Sequence, residues 1–345
     1  MNIGMLPKAH HHGLLDKIAP EMRWDGKSHL PEWQKSARAK LSAILGLDEI
    51  AKCAVKPTVE IEYDKYSEDL DCREIRFRVN TEEDVWVPCH LCVPKDAKGA
   101  LPVVIALQGH SRGMHISLGR PKFPGDEQSC HGGDRDFVAR ALKEGVCGIA
   151  VEQRAFGENG GNPENSNPDC REPAMRAVLM GRTLVGERVW DVMRLIDALG
   201  EFFSDIVDVE KVICLGNSGG GTATVYATAV DERIKIGVPS CAVCRYADSI
   251  GAMLHCECNY VPYIAKYFDM GDLCALAAPR NLIVVSGITD GIFPIEGAKA
   301  CVDVGRKAFS AYGREQAIVH VIGDGGHRFY ADDSWPHIRK ALEEL

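Results

Sequence analysis

Residues 211–230 read KVICLGNSGGGTATVYATAV, and the order of residue types in this stretch decides the fold class. KVICLG is a β-branched, apolar run of strand length, while GTATVYATAV is built from small residues that let a helix lie close to a sheet. Between them, Gly216, Asn217, Ser218, Gly219 and Gly220 complete a G-x-S-x-G pattern. A serine on a sharp strand-to-helix turn is lifted above the sheet, and the glycines on either side permit the close approach that the turn demands. Ser218 is therefore the candidate nucleophile.

Working outward, the same kind of run recurs as LPVVIALQG (101–109), GVCGIAVEQ (145–153), IKIGVPS (234–240), NLIVVSG (281–287) and AIVHVIG (317–323). Such continuous apolar strands are buried on both faces, and helical segments lie between them. DRDFVARALKEG (134–145) stops at Gly145 and GERVWDVMRLIDALG (186–200) at Gly200. The alternation predicts an α/β protein with a mostly parallel, doubly wound sheet. Upstream, TVEIEY, REIRFRVN and VWVPCHLCVP are separated by the acidic turns SEDLD and NTEED. These predict antiparallel strands at one sheet edge.

From Pro31 to about Cys53, Trp33, Ala37, Leu41, Ile44 and Leu45 recur at helical spacing. The organisation expected is an N-terminal helical extension over residues 1–57 and a catalytic domain over 58–345, with lid-like insertions near 157–187 and 241–278. The first insertion contains FGENGGNPENSNPDCREP (156–173), whose Gly, Asn and Pro content predicts a surface loop. His10, His11 and His12 are read as part of a polar, mobile terminus with no role.

A second G-x-S-x-G pattern runs from Gly109 through Ser111 to Gly113. Here the residues that follow, RGMHISLGRPKFPGDE, contain Gly and Pro that do not support a helix, so Ser111 is a loop serine. The turn after this strand instead supplies an oxyanion-hole amide. The two expected donors are the backbone N–H groups of His110 and Gly219.

A serine hydroxyl needs an imidazole to take its proton and a carboxylate to hold that imidazole in one tautomer, and on this kind of sheet they follow in the order serine, acid, histidine. Asp290 follows the strand NLIVVSG, and His327 follows AIVHVIG on a glycine-rich loop. Both fall at a strand's C-terminal edge. Asp324 is too close to His327 in the chain, Asp303 falls in a helical run, His320 lies within a strand, and His255 belongs to the 241–278 excursion. Glu158, in the AFGE turn, is a candidate for contacting a polar substrate group. Arg188 and Asp191 are read as a solvated i, i+3 pair.

These segments, together with EQRAFGE, MGRTLVGERVWDVMRLIDAL, HCECNYVP, AAPRNLIVVSGITDGIFP and GGHRF, resemble the α/β-hydrolase superfamily. The similarity is to its acetyl-xylan-esterase-like and dienelactone-hydrolase-like branch of bacterial serine hydrolases. It spans the chain from about Val85 onward and implies an α/β-hydrolase fold. Dienelactone hydrolases carry a cysteine at the elbow, so Ser218 places the chain on the serine-esterase side. Gln108-Gly109 also departs from the common His-Gly form of the oxyanion segment. The expected function is hydrolysis of carboxylic esters of small acyl groups, acetyl esters of carbohydrates among them, through an acyl-enzyme. A peptidase or amidase on the same triad, or a non-catalytic binding protein on this fold, are the alternatives.

A formal net charge of -9 with scattered Lys and Arg offers no footprint for nucleic acid. The beginning of the sequence lacks the charged and apolar regions of a signal peptide, and no apolar run reaches the roughly 18 residues of a membrane span. The expectation is a cytoplasmic protein acting on a small-molecule ester, with no nucleic-acid or membrane partner. Fourteen cysteines are too sparse for a disulfide scaffold and read as reduced thiols. Cys241, Cys244, Cys256 and Cys258 form a C-x-x-C and a C-x-C, which invites zinc. The single residue between the second pair and the apolar neighbours Ala242, Val243 and Met253 favour packed or redox-sensitive thiols, so no metal and no cofactor are expected.

Overall fold

The computed structural model describes residues 6–160 and 167–345. Nine strands form one sheet: β1 (Val59–Ser67), β2 (Cys72–Glu82), β3 (Val85–Pro94), β4 (Leu101–Leu107), β5 (Cys147–Val151), β6 (Val207–Asn217), β7 (Ile234–Ser240), β8 (Asn281–Gly287) and β9 (Ile318–Gly323). Their spatial order is β1-β2-β3-β5-β4-β6-β7-β8-β9. The pairs β1–β2, β2–β3 and β3–β5 are antiparallel. The remaining five pairs, from β5–β4 to β8–β9, are parallel. The antiparallel edge and the parallel body follow the change of pattern in the sequence.

The helices are α1 (Pro7–Lys17), α2 (Leu30–Leu45), α3 (Leu47–Ala51), α4 (Phe137–Lys143), α5 (Arg171–Leu179), α6 (Leu184–Phe202), α7 (Gly219–Val230), α8 (Ile264–Tyr267), α9 (Met270–Ala277), α10 (Ile295–Ala311) and α11 (Ala331–Glu343). Side chains alternate across a strand, and β4 shows the result. Val103, Ile105 and Leu107 join a core shared with α2, α6, α7, α9 and α10, whereas Val104 and Ala106 join one shared with α4 and α11. Both sheet faces are thus covered, and only the strand ends are free to carry chemistry. No helix among the described residues is long and apolar enough to cross a membrane.

Three local readings change. His10, His11 and His12 lie within α1, started by Pro7, although the helix buries none of its residues. The helical stretch predicted from Pro31 is broken at Gly46, which adopts a left-handed conformation (φ 79°) between α2 and α3. Helix α6 continues past Gly200 to Phe202, and its true start is fixed by the Thr183 side chain, which accepts from the Gly186 N–H at 3.0 Å. Of the two excursions, residues 161–166 lie outside the described residues. In the other, α9 is wholly buried within the core that contains α7 and α10, and Val243, Tyr246 and Ile250 join the same core.

Candidate active site

The parallel strands all point their C-terminal ends to one edge, and the loops leaving β4 to β9 converge there. At the end of β6 the chain makes the elbow. Ser218 has φ 57° and ψ −122°, a conformation L-residues rarely hold and one that marks stored strain at functional sites. The elbow is locked to β7: the Ser218 N–H donates to the Ser240 carbonyl at 2.9 Å, and the Asn217 side chain donates to Ser240 Oγ at 3.1 Å. Glycine is required where helix α7 crosses β4. A Cβ on Gly220 would lie 2.0 Å from the Leu107 carbonyl oxygen. Such contact excludes any larger residue.

His327, on the loop after β9, hydrogen bonds through Nδ1 to Asp290 Oδ2 at 2.8 Å. The Asp290 side chain is fully buried and His327 retains 21% exposure, so the ring remains reachable from solvent. The other Asp290 oxygen accepts from the Ile292 and Phe293 amides at 2.8 and 3.2 Å. Burial alone would raise the Asp290 pKa, but the His327 bond and these two amides outweigh it and hold the carboxyl below its usual range. The imidazole is fixed from two further sides. Phe293 stacks on it with ring centroids 5.9 Å apart, and Arg135 donates to the His327 carbonyl at 3.0 Å. Among the described residues the Ser218 hydroxyl makes no hydrogen bond, which leaves it free for a ligand; apo sites commonly tighten only on binding.

The Gly109–His110 turn flanks the elbow on the β4 side. A Cβ on Gly109 would fall 2.9 Å from Ser218 Cβ, so the turn lies directly against the elbow. Gln108 anchors it through bonds to Ser117 Oγ (2.6 Å) and the Arg135 carbonyl (2.8 Å), and Gln153 donates to the Gln108 carbonyl. The Gly219 N–H is the first of α7 and has no acceptor within its helix. The His110 ring covers Gly219, its Cε1 and Nδ1 both 2.8 Å from where a Cβ would sit, with Phe156 edge-on at 5.1 Å.

Several further titratable residues lie in the segments that follow these strands. His255 packs against Phe293 (5.5 Å), and burial together with the nearby His110 and His327 rings lowers its pKa. Cys241, with its thiol within 4.8 Å of Asp290 and His327, is pushed up to about 12 by burial and by the Asp290 carboxylate, so it stays protonated. Glu152, at the end of β5, is raised to about 8 by burial despite bonds from the Met114 and Glu158 amides. His115 and Asp126 form a second imidazole–carboxylate pair at 2.7 Å.

The Glu158 carboxylate pairs with Arg76 on β2. The solvated reading of Arg188 and Asp191 is overturned. Their exposures are 2% and 3%, Asp191 pairs with Arg154 at 2.7 Å, and Arg188 packs over Phe156 at 4.1 Å. An i, i+3 spacing shows only that two residues share a helix face, and this face points inward. The four cysteines also divide. Cys244 contacts the Pro294 carbonyl (3.5 Å), whereas Cys256 and Cys258 meet Cys170 and His110.

The sheet order, the covered faces and the elbow together define an α/β-hydrolase fold. No protein-family model matches the chain. Among curated proteins it is similar to "Putative hydrolase YtaP" of Bacillus subtilis (strain 168), 26% identical over 213 residues that cover 61% of this chain and 67% of the relative. Among solved structures it resembles a "putative acetyl xylan esterase" from Bacteroides fragilis NCTC 9343 (TM-score 0.76, 17% identity, 93% of this chain and 83% of the other). It also resembles a glucuronoyl esterase from Solibacter usitatus (TM-score 0.67, 16% identity, 94% and 98%).

Proposed function

We propose that this chain is a serine hydrolase of carboxylic esters. The observation that carries the reading is the Asp290–His327 pair at 2.8 Å on the same strand edge as the strained Ser218 elbow. Ser218 Oγ attacks the ester carbonyl while His327 takes its proton, Asp290 stabilises the imidazolium, and the His110 and Gly219 N–H groups receive the developing oxyanion. His327 then returns the proton to the leaving alcohol, and water, activated by the same imidazole, releases the acid.

The His110 ring over Gly219 and the adjoining Phe156 narrow the cleft and favour small acyl groups. The acetyl xylan esterase named among the structural neighbours makes acetyl esters of carbohydrates the class to try first. Residues 58–345 form the catalytic unit in this reading and residues 1–57 an N-terminal extension, of which α2 and α3 pack on it. The free state of the fourteen cysteines fits a reducing compartment, the cytoplasm. The test is a panel of p-nitrophenyl esters and acetylated sugars. Acetyl esters should turn over fastest, with rates falling as the acyl chain lengthens; a protein that hydrolyses none of them contradicts the proposal.

A further inference from the structure

We propose that His110, Cys170, Cys256 and Cys258 form a tetrahedral site for one zinc ion that clamps the wall of the cleft. Their ligand atoms, one nitrogen and three sulfurs, all lie within 4.8 Å of one another. A tetrahedral ion with Zn–S of about 2.3 Å and Zn–N of about 2.0 Å separates its ligands by roughly 3.5 to 3.8 Å. His110 Nε2 and Cys258 Sγ are already 3.2 Å apart, so ligation needs shifts of only about an ångström or less. The donor set, three thiols and an imidazole, suits zinc rather than magnesium or calcium.

An independent observation concerns charge. Arg188 is buried, yet among the described residues no carboxylate pairs with it. Its guanidinium donates to the Arg154 carbonyl at 2.8 Å and to Cys170 Sγ at 3.4 Å. A buried cation needs an anion. Three neutral thiols do not provide one, whereas three thiolates and a neutral imidazole around a divalent ion carry a net charge of minus one, which Arg188 balances. Binding would expel the thiol protons to solvent, and the exposed side of His110 gives the ion an entry path.

The ligands come from three places far apart in sequence: the turn after β4, the residue preceding α5, and the excursion after β7. With all four positions filled by protein the ion is structural, not a Lewis acid for the ester. Ligation through Nε2 fixes the proton of His110 on Nδ1, the nitrogen that faces Gly219. The ion would thus hold the proposed oxyanion side of the cleft in place.

The test is independent of ester hydrolysis. The full chain, carrying His10→Ala, His11→Ala and His12→Ala to remove adventitious binding at α1 and grown with zinc, is assayed by elemental analysis. Near-stoichiometric zinc is expected, lost in Cys170→Ser and in Cys258→Ser and kept in Cys53→Ser. Should the cysteine variants fail to fold, cobalt added to the chelator-stripped parent should give thiolate-to-cobalt charge-transfer bands. Absence of both bound zinc and those bands overturns the proposal. So does zinc retained in both cysteine variants, or a disulfide among these three cysteines in freshly thiol-blocked protein.

Discussion

The two G-x-S-x-G turns are five residues each and share the glycines and serine of the pattern, and each has a histidine–aspartate pair nearby, yet the chain makes different things of them. After Ser218 comes a helix of 12 residues that pins the elbow in a strained conformation; after Ser111 comes only a three-residue 3-10 turn, Met114–Ile116. His327 meets Asp290 through Nδ1, leaving Nε2 free with the ring partly exposed. His115 meets Asp126 through Nε2 with 6% exposure, and burial lowers its pKa, keeping it neutral. A general base has to be reachable, and of the two imidazoles only that of His327 keeps substantial exposure. The pattern names a turn; its surroundings decide whether the turn is a nucleophile or a wall.

The largest effect that could break this comparison is on the nucleophile itself. Ser218→Ala should lose on the order of 10⁴-fold or more in kcat, while Ser111→Ala stays within about tenfold of the parent. Steady-state rates on an acetyl ester check both, and equal losses would erase the distinction. Next in size, Asp290→Asn should lose on the order of 10³- to 10⁴-fold through the wrong imidazole tautomer, whereas Asp126→Asn should change kcat little; its cost should appear in the melting temperature. A smaller effect is expected where the turns touch. In Gly109→Ala the new Cβ would meet the Asn217 carbonyl at 2.7 Å and Ser218 Cβ at 2.9 Å, displacing the proposed oxyanion turn, with an expected loss of about 10²-fold in kcat.

A last effect is on stability rather than rate and concerns Glu152, which pegs the Ser111 turn through the Met114 amide. Its folded pKa of about 8 lies above the unfolded value of about 4.3. The folded state therefore holds more protons between those values, and stability should fall as pH rises through that window, by at most about 1.4 kcal/mol per unit, then level off above pH 8. Urea unfolding at a series of pH values should show Glu152→Gln flattening this fall. An unchanged slope would mean that another group causes it.

The strands, the elbow, Asp290 and His327 could be read from the sequence because each is a local pattern: an apolar run, then glycines, then one reactive residue at the run's end. What the sequence hid is what tertiary packing assembles. Cys170 joins Cys256 and Cys258 across more than eighty positions, and C-x-x-C spacing pointed instead to Cys241 and Cys244, which the fold sends to the Asp290 side. His255 lay in an excursion with no periodicity to orient it. Arg188 looked solvated because arginine usually is; its burial depends on Phe156 and the thiols of other segments. Helix α1 buries nothing, so no apolar stripe announced it.

Ser218 is the residue expected to be acylated. Treating the protein with a fluorophosphonate and mapping the adduct by peptide mass spectrometry tests this most directly. A single phosphonyl group on the peptide containing Ser218, absent in His327→Ala, is the result predicted. An adduct on the peptide containing Ser111 with Ser218 unmodified would contradict it.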